Sequence, residues 1–276
     1  MADSSENPPA RNVDDLKSAD AREVHRAVRE EGEAELRRPA QSLFWSGVAA
    51  GIAINTSLIA EAALHMALPD RPWRILITSL GYPIGFMVVI LGRMQLFTES
   101  TVTAMLPLVT RPSWQALGGT LRLWGIVLLA NLIGTALAGG ATAWGLVGSE
   151  AFRAAAVEVA NKITEHGPGG TFLNAIPAGF MIAMVAWVLP NAREQSVLVI
   201  AAFTYVIGIA GFSHSIVGSD ETFLLLFAGR IDAAAALGSI GPAVLGNLVG
   251  GAGLFALLAH GQVRGEMPKA LTEDNP

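Results

Sequence analysis

Gly208-Ile209-Ala210-Gly211-Phe212-Ser213-His214-Ser215-Ile216-Val217-Gly218-Ser219-Asp220-Glu221 lies between two apolar runs, Ser196 to Ile209 and Phe223 to Ala228. A helix entering a bilayer along the first run loses its regularity at glycines, serines and one histidine, then resumes along the second. Irregular backbone at membrane depth is tolerated only where protein buries it or where it lines a wet cavity. An ionisable side chain at such a break marks a functional site by default. His214 is that side chain here, and the plainer alternative is a buried histidine hydrogen-bonded between helices.

A second interruption lies upstream. Ile75 to Gly92 reads as a membrane helix with Pro83 and Gly85 inside it. Arg93-Met94-Gln95-Leu96-Phe97-Thr98-Glu99-Ser100 then breaks it, and a short apolar segment runs on to Val109. Around these two breaks the chain carries long stretches without Asp, Glu, Lys or Arg: Ile75–Gly92, Leu123–Ser149, Gly167–Ala192, Gln195–Ser219 and Ala233–Val263. Each is near or above the ~18–20 residues that cross a bilayer as a helix. With 52% hydrophobic and only 15% charged residues, against ~25% charged in soluble domains, the chain is read as an all-α polytopic membrane protein.

Six spans are expected, with Gln41–Leu68 first, Leu121–Val147 third, Thr171–Pro190 fourth and Ala233–His260 last. They divide three plus three, and the second of each triplet is broken. An odd number of spans per half inverts the second half, and paired broken helices in an inverted repeat point to a transport path near the midplane. The predicted organisation is a polar N-terminal region (1–38) with a cytoplasmic helix, a six-helix channel domain (39–263) and a polar tail (264–276). Residues 1–12 read as disordered. The N-terminal helix is expected from Val13 to Arg38, capped by Asp14 or Asp15, on the membrane surface or against a neighbouring subunit. Gly148–Gly170 reads as a polar connector.

Ten of the 23 acidic residues fall in the first 40 positions, so the net charge of −5 says little about partners. No basic excess points to nucleic acid. The absence of cysteine excludes disulfides and thiolate chemistry, and no nucleotide loop, nucleophile–base pairing or cofactor motif is evident, so the chain is not read as an enzyme. Residues 1–40 lack an apolar signal core, which leaves the first span as its own insertion signal. Basic residues flanking the spans, seven against five, favour both termini in the cytoplasm of a multi-pass protein.

Lys162 is one of three lysines, and the other two, Lys17 and Lys269, lie in the terminal regions. A cation at the mouth of an apolar pore raises the local concentration of anions; a snorkelling interfacial lysine is the alternative. Gln95, Thr98, Ser213, Ser215 and Asn247 are polar groups in or beside the spans, able to serve either a solute or a neighbouring helix. Phe86, Leu96 and Phe97 are expected to form apolar constrictions that stop hydrated ions. Arg93 and Glu99 flank the first break and are expected to pair, and Glu61 is placed near the interface.

Gln95-Leu96-Phe97-Thr98-Glu99-Ser100, Gly211-Phe212-Ser213-His214-Ser215-Ile216-Val217 and Gly246-Asn247-Leu248-Val249-Gly250-Gly251 together resemble the signatures of the formate/nitrite transporter family. The resemblance covers about residues 35–265. Within the family it looks most like the YfdC-type branch, through the charged N-terminal extension and Arg122-Leu123-Trp124-Gly125. It implies an aquaporin-like protomer of six helices in a homopentamer, each protomer with its own pore for small monovalent anions of weak acids. On this resemblance His214 is the pore histidine, Lys162 the vestibule lysine, Thr98 and Asn247 the pore threonine and asparagine, and Phe86, Leu96 and Phe97 the constrictions. The sequence departs from the formate-type pattern at Gln95 and Ser213, where that pattern has acidic residues, and at Val217-Gly218-Ser219.

The leading expectation is thus a channel for a small anion or weak acid, proton-coupled through His214, with lipid and four further copies of the chain as its partners. A pore for water or a neutral solute, whose flux would ignore pH, is one rival. A membrane scaffold with a vestigial pore, acting through its N-terminal helix, is the other.

Overall fold

The computed structural model describes residues 18–267, and all regular structure among them is helical. The expected disorder of residues 1–12 and most of the tail lie outside the described residues. Twelve α-helices follow one another: α1 Ala21–Leu36, α2 Ala40–Ala67, α3 Arg74–Thr78, α4 Tyr82–Leu91, α5 Phe97–Thr110, α6 Trp114–Ala143, α7 Glu150–Ala160, α8 Pro168–Val188, α9 Ser196–Ala210, α10 Ser215–Phe227, α11 Ala233–Leu248 and α12 Leu257–Arg264. Five stretches are long and apolar enough to cross a membrane, and the bent pair α9–α10 makes a sixth.

The six spans form two equivalent triplets. α2 lies along α6, and α8 lies along α11 and its continuation, the π-helical Val249–Ala256. Small residues make both crossings close. A Cβ at Gly51 would fall on the Asn131 carbonyl oxygen, and one at Gly179 would fall on the Asn247 carbonyl oxygen. Likewise Gly134 abuts the carbonyl of Val48, and Gly250 that of Ile176. Positions 48 and 51 map onto 176 and 179, and 131 and 134 onto 247 and 250, so the inverted repeat extends to individual contacts.

The second and fifth spans break as expected, and in the same way. Each first half ends in a Schellman-type turn: Met94 N–H donates to Val89 O (3.0 Å) and Phe212 N–H to Ile207 O (3.1 Å). The turn needs one residue in the left-handed region, supplied by Arg93 (φ 55°) and Gly211 (φ 65°). These residues, like the bond partners, are related by one offset of 118 positions (93 to 211, 94 to 212). The bend between α9 and α10 is 49°.

Four expectations are corrected. Pro83 does not sit inside a helix from Ile75: Ser79–Gly81 interrupts it, and Pro83 falls in the first turn of α4, where a missing N–H has no partner to lose. The connector is largely a helix, α7, capped by Ser149, with Ala155, Ala156, Val159 and Ala160 buried. The third span begins at Trp114, seven residues before position 121.

The N-terminal helix starts at Ala21 rather than near Asp14, because Asp20 and Glu23 form a reciprocal capping box: Asp20 Oδ1 accepts from Glu23 N (3.0 Å) while Glu23 Oε2 accepts from Asp20 N (2.8 Å). α1 also packs on its own protomer, burying Val24, His25, Val28 and Gly32, with Gly32 against the Thr103 carbonyl of α5.

His25 ties α1 to α12: its Nε2 lies 3.3 Å from His260 Nδ1, edge-on to Trp187. Burial, then the neighbouring His260 and Arg29, lowers the His25 pKa to about 4. A histidine depressed in the folded state favours the docked helix above its free pKa and loses that contribution as pH falls from about 6.5 toward about 4. Acidification across that window should therefore speed amide exchange in α1 while α6 stays protected, and His25→Phe should reduce the pH dependence to what the adjoining His260 contributes.

Candidate functional site

Each break ends where a new helix must start inside the protein with unpaired backbone N–H groups. One asparagine serves each. Asn131 Oδ1 accepts from Phe97 N (2.9 Å), and its Nδ2 donates to Gly47 O (2.8 Å) and Gln95 O (2.9 Å). Asn247 Oδ1 accepts from Ser215 N (2.7 Å), and its Nδ2 donates to Ala175 O (2.7 Å) and Ser213 O (3.0 Å). Both are fully buried. Asn247, expected to face a solute, instead spends its groups on backbone. Asn131 was missed by sequence reasoning, although it stands 116 positions before Asn247, the spacing that relates the sixth span to the third.

The residues between the braces differ. Leu96 and His214 occupy equivalent positions, each the N-cap of the helix that follows. His214 Nδ1 accepts from Val217 N (3.3 Å). A backbone N–H can only donate, so the ring's proton sits on Nε2, which lies 2.8 Å from Thr98 Oγ1. Nε2–H therefore donates to the Thr98 hydroxyl and leaves the hydroxyl proton for another acceptor. Phe86 meets the imidazole edge-to-face, with ring centroids 4.8 Å apart. Phe86, Leu96, Phe97, Thr98 and His214 are all at most 2% exposed, so the structure brings together the three expected constriction residues, the threonine and the histidine in one buried layer.

A cavity lies on either side of this layer. On the face away from α1, a cavity of about 60 Å³ is lined by Lys162, His166, Tyr82, Ser213, His214 and Glu221, among others. That volume admits a few waters or a solute of comparable size. On the other face, about 370 Å³ is bounded by Gln95, Arg93, Glu99, Glu31, Glu35 and Arg38. The first break lines one cavity and the second break lines the other.

Lys162 is placed by the turn after α7 (Asn161–Thr164) and its Nζ lies 3.3 Å from Glu61 Oε1. Glu61, expected near the interface, is fully buried within the protein, and its Oε2 has no partner among the described residues. Burial pulls the Lys162 pKa down, but Glu61 and Glu221 outweigh it and leave the pKa raised, so the ammonium is charged. Arg93 pairs with Glu31 of α1 (2.6 Å) in place of Glu99. Gln95 Nε2 donates to Glu35 Oε1 (2.8 Å), whose Oε2 accepts from Thr103 Oγ1 (2.7 Å); burial raises the Glu35 pKa. Asp220 accepts from Asn55 Nδ2 (2.7 Å) through Oδ2, and its Oδ1 has no partner among the described residues. Among the described residues no group of histidine and acidic side chains has the geometry of a metal site.

Residues 22–261 match the sequence pattern of the formate/nitrite transporter family. The chain belongs to that family. Inner membrane protein YfdC of Escherichia coli (strain K12) is 38% identical over 245 residues, covering 88% of this chain and 79% of that protein. Two solved structures of family type share the fold. One, described as a pentameric formate channel with formate bound, superposes with a TM-score of 0.70 at 18% identity over 82% of this chain and 97% of its own. The other, described as an FNT family ion channel, reaches 0.74 at 19% identity, covering 89% and 99% respectively.

Proposed function

We propose that the protein is a homopentameric channel of the inner membrane, with both termini cytoplasmic, for small monovalent anions of weak acids, proton-coupled through His214. The observation that carries the reading is the buried layer Phe86–Leu96–Phe97 with the Thr98–His214 hydrogen bond inside it, set between two polar cavities. Family membership and the two solved neighbours support anion transport and the pentamer.

An anion leaving water for the apolar layer faces a desolvation cost too large to cross as an ion. Lys162 draws it into the vestibule by field focusing. A proton taken up at His214 Nδ1 displaces the Val217 N–H and frees the proton on Nε2. The Thr98 hydroxyl, bonded to Nε2, passes a proton on to the anion, and the neutral acid crosses between Phe86, Leu96 and Phe97. Gln95 and Ser213 line the cavities where the solute regains water, and Asn131 and Asn247 hold the breaks in register.

The test is stopped-flow flux of formate, nitrite and acetate in proteoliposomes from pH 5 to 8. Flux that accelerates with acid is expected. Lys162→Ala/Glu61→Gln removes the cation without stranding its buried carboxylate and should slow anion uptake at least ~10-fold, the lower end of what a focused field supplies. Flux that ignores pH and survives this change would move the reading to a pore for a neutral solute.

A further inference from the structure

His214 Nδ1 has to receive a proton before Nε2 can release one. At neutral pH a cavity of about 60 Å³ holds essentially no free hydronium, so a resident acid must supply it. Glu221 stands where that acid is needed. It follows His214, the N-cap of α10, by seven residues, two turns along the same helix face and ~10 Å along the axis. Both line the cavity that Lys162 and Ser213 share. Glu221 is 6% exposed. Among the described residues its carboxyl has no hydrogen-bond partner and no ion pair, and it opens on the cavity, whereas Glu61 Oε2 and Asp220 Oδ1 are sealed in. A carboxylate buried without a partner carries an uncompensated charge, so such a group keeps its proton.

We infer that Glu221 is the proton-donating acid of this vestibule, resting as the neutral carboxylic acid and supplying His214 Nδ1 through cavity water. The inference rests on the transport reading above and adds the residue that loads its relay. The step balances. The Glu221 O–H bond breaks, the proton passes along the water, an N–H bond forms at Nδ1, and the electron pair stays on the Glu221 carboxylate. Lys162 in the same vestibule offsets that transient charge, and the carboxylate regains a proton from bulk water. With Glu221 neutral at rest, the half-buried Lys162 ammonium meets the incoming anion while its partner Glu61 lies fully buried behind it, so attraction and proton supply coexist. The titratable and charged groups around Glu221 are Lys162 and His166 after α7, Glu61 from α2, Tyr82 from α4, and Asp220 and His214 beside and before it. The other elements packed on α10 turn their charges elsewhere. On α7, Glu158 pairs with His65 and Arg153 lies by Glu150. Arg122 of α6 bonds the Arg38 carbonyl, Glu99 of α5 lines the opposite cavity, and α11 has no titratable side chain.

The experiment compares wild type, Glu221→Gln, Glu221→Asp and His166→Gln as reconstituted pentamers, with formate uptake followed by stopped flow at pH 5.5 and 7.5. Glu221→Gln should slow uptake at least ~10-fold at pH 7.5, less than a full acid–base group contributes because bulk water remains a slower source. The slowing should shrink at pH 5.5, where hydronium is more plentiful, so the ratio of acid to neutral flux rises. Glu221→Asp keeps an acid on the cavity and should fall between. A structural defect would slow Glu221→Gln by one factor at both pH values, and that result overturns the inference. So does a raised ratio in His166→Gln in place of Glu221→Gln. Infrared spectra of the wild-type and Glu221→Asp pentamers at pH 7.5 give a reading that needs neither transport nor assembly of Glu221→Gln. A carboxylic-acid C=O band that shifts between the two supports a protonated Glu221, and identical bands overturn it. Glu221→Gln with wild-type rate and ratio in an active channel sinks this inference and leaves the transport reading standing. Wild-type liposomes no faster than empty ones sink the transport reading, and the relay role of Glu221 with it.

Discussion

His214→Asn should keep the helix cap and more of the thermal stability than His214→Ala, and yet transport weak-acid anions at least ~100-fold more slowly, the lower bound of what a placed acid–base group contributes. The two halves of this result come from the two ring nitrogens. Nδ1 caps α10 through Val217 N, and asparagine is as good a cap as the helix terminus can have, so the structural half survives. Nε2 carries the proton that meets Thr98, and an amide cannot relay one. Either substitution loses the ring that Phe86 packs against, but His214→Ala leaves the larger void and removes the cap as well as the relay. It should therefore lose the same transport and, in addition, about 2 kcal/mol or more of stability from the cap and the void. Stopped-flow uptake and the melting temperature of the purified pentamer separate the two variants. Wild-type flux in His214→Asn would remove the histidine from the mechanism.

The fold was legible because hydrophobicity and interruption are one-dimensional signals. Charge-free runs marked the spans, and glycines, serines and a stranded histidine marked the breaks. The layer of Phe86, Leu96, Phe97, Thr98 and His214 was legible too, though only through residues sitting at or beside those breaks. What stayed hidden was pairing across spans. The pairing of Glu61 was invisible because its sequence neighbours say nothing of Lys162, 101 positions away and brought to it by α7. Arg93 looked bound to Glu99, six residues on, because α1 had not yet been laid across the mouth where Glu31 reaches it. Asn247 read as a solute ligand because an asparagine in a membrane helix signals a polar partner without saying that the partner is backbone. Asn131 carried the same signal in the third span, and only the superposition of the two triplets gives it meaning.

The same superposition yields the second large effect. Gly51→Ala and Gly179→Ala should each cost about 3 kcal/mol or more, at the upper end of overpacking, because the added Cβ lands on backbone and not on a side chain that can turn aside. In both cases that backbone belongs to the bracing asparagine itself, Asn131 or Asn247. Widening the crossing enough to admit a methyl group moves the asparagine off its break, so the packing cost comes with the loss of up to three buried hydrogen bonds. Gly125→Ala is the control: nothing lies within 4 Å of its Cβ, and alanine's better helix propensity should leave it neutral or slightly stabilised. Melting temperatures of the three pentamers in detergent check the order. The repeat then separates the two damaged variants by function. Gly51→Ala loosens the break that holds Leu96, an apolar residue whose displacement mainly widens the barrier. Gly179→Ala loosens the break that holds His214, so below its melting temperature it should lose the acid-stimulated part of the flux, which Gly51→Ala retains. Equal stability in Gly179→Ala and Gly125→Ala would mean that the crossing is not the hinge on which the histidine's position depends.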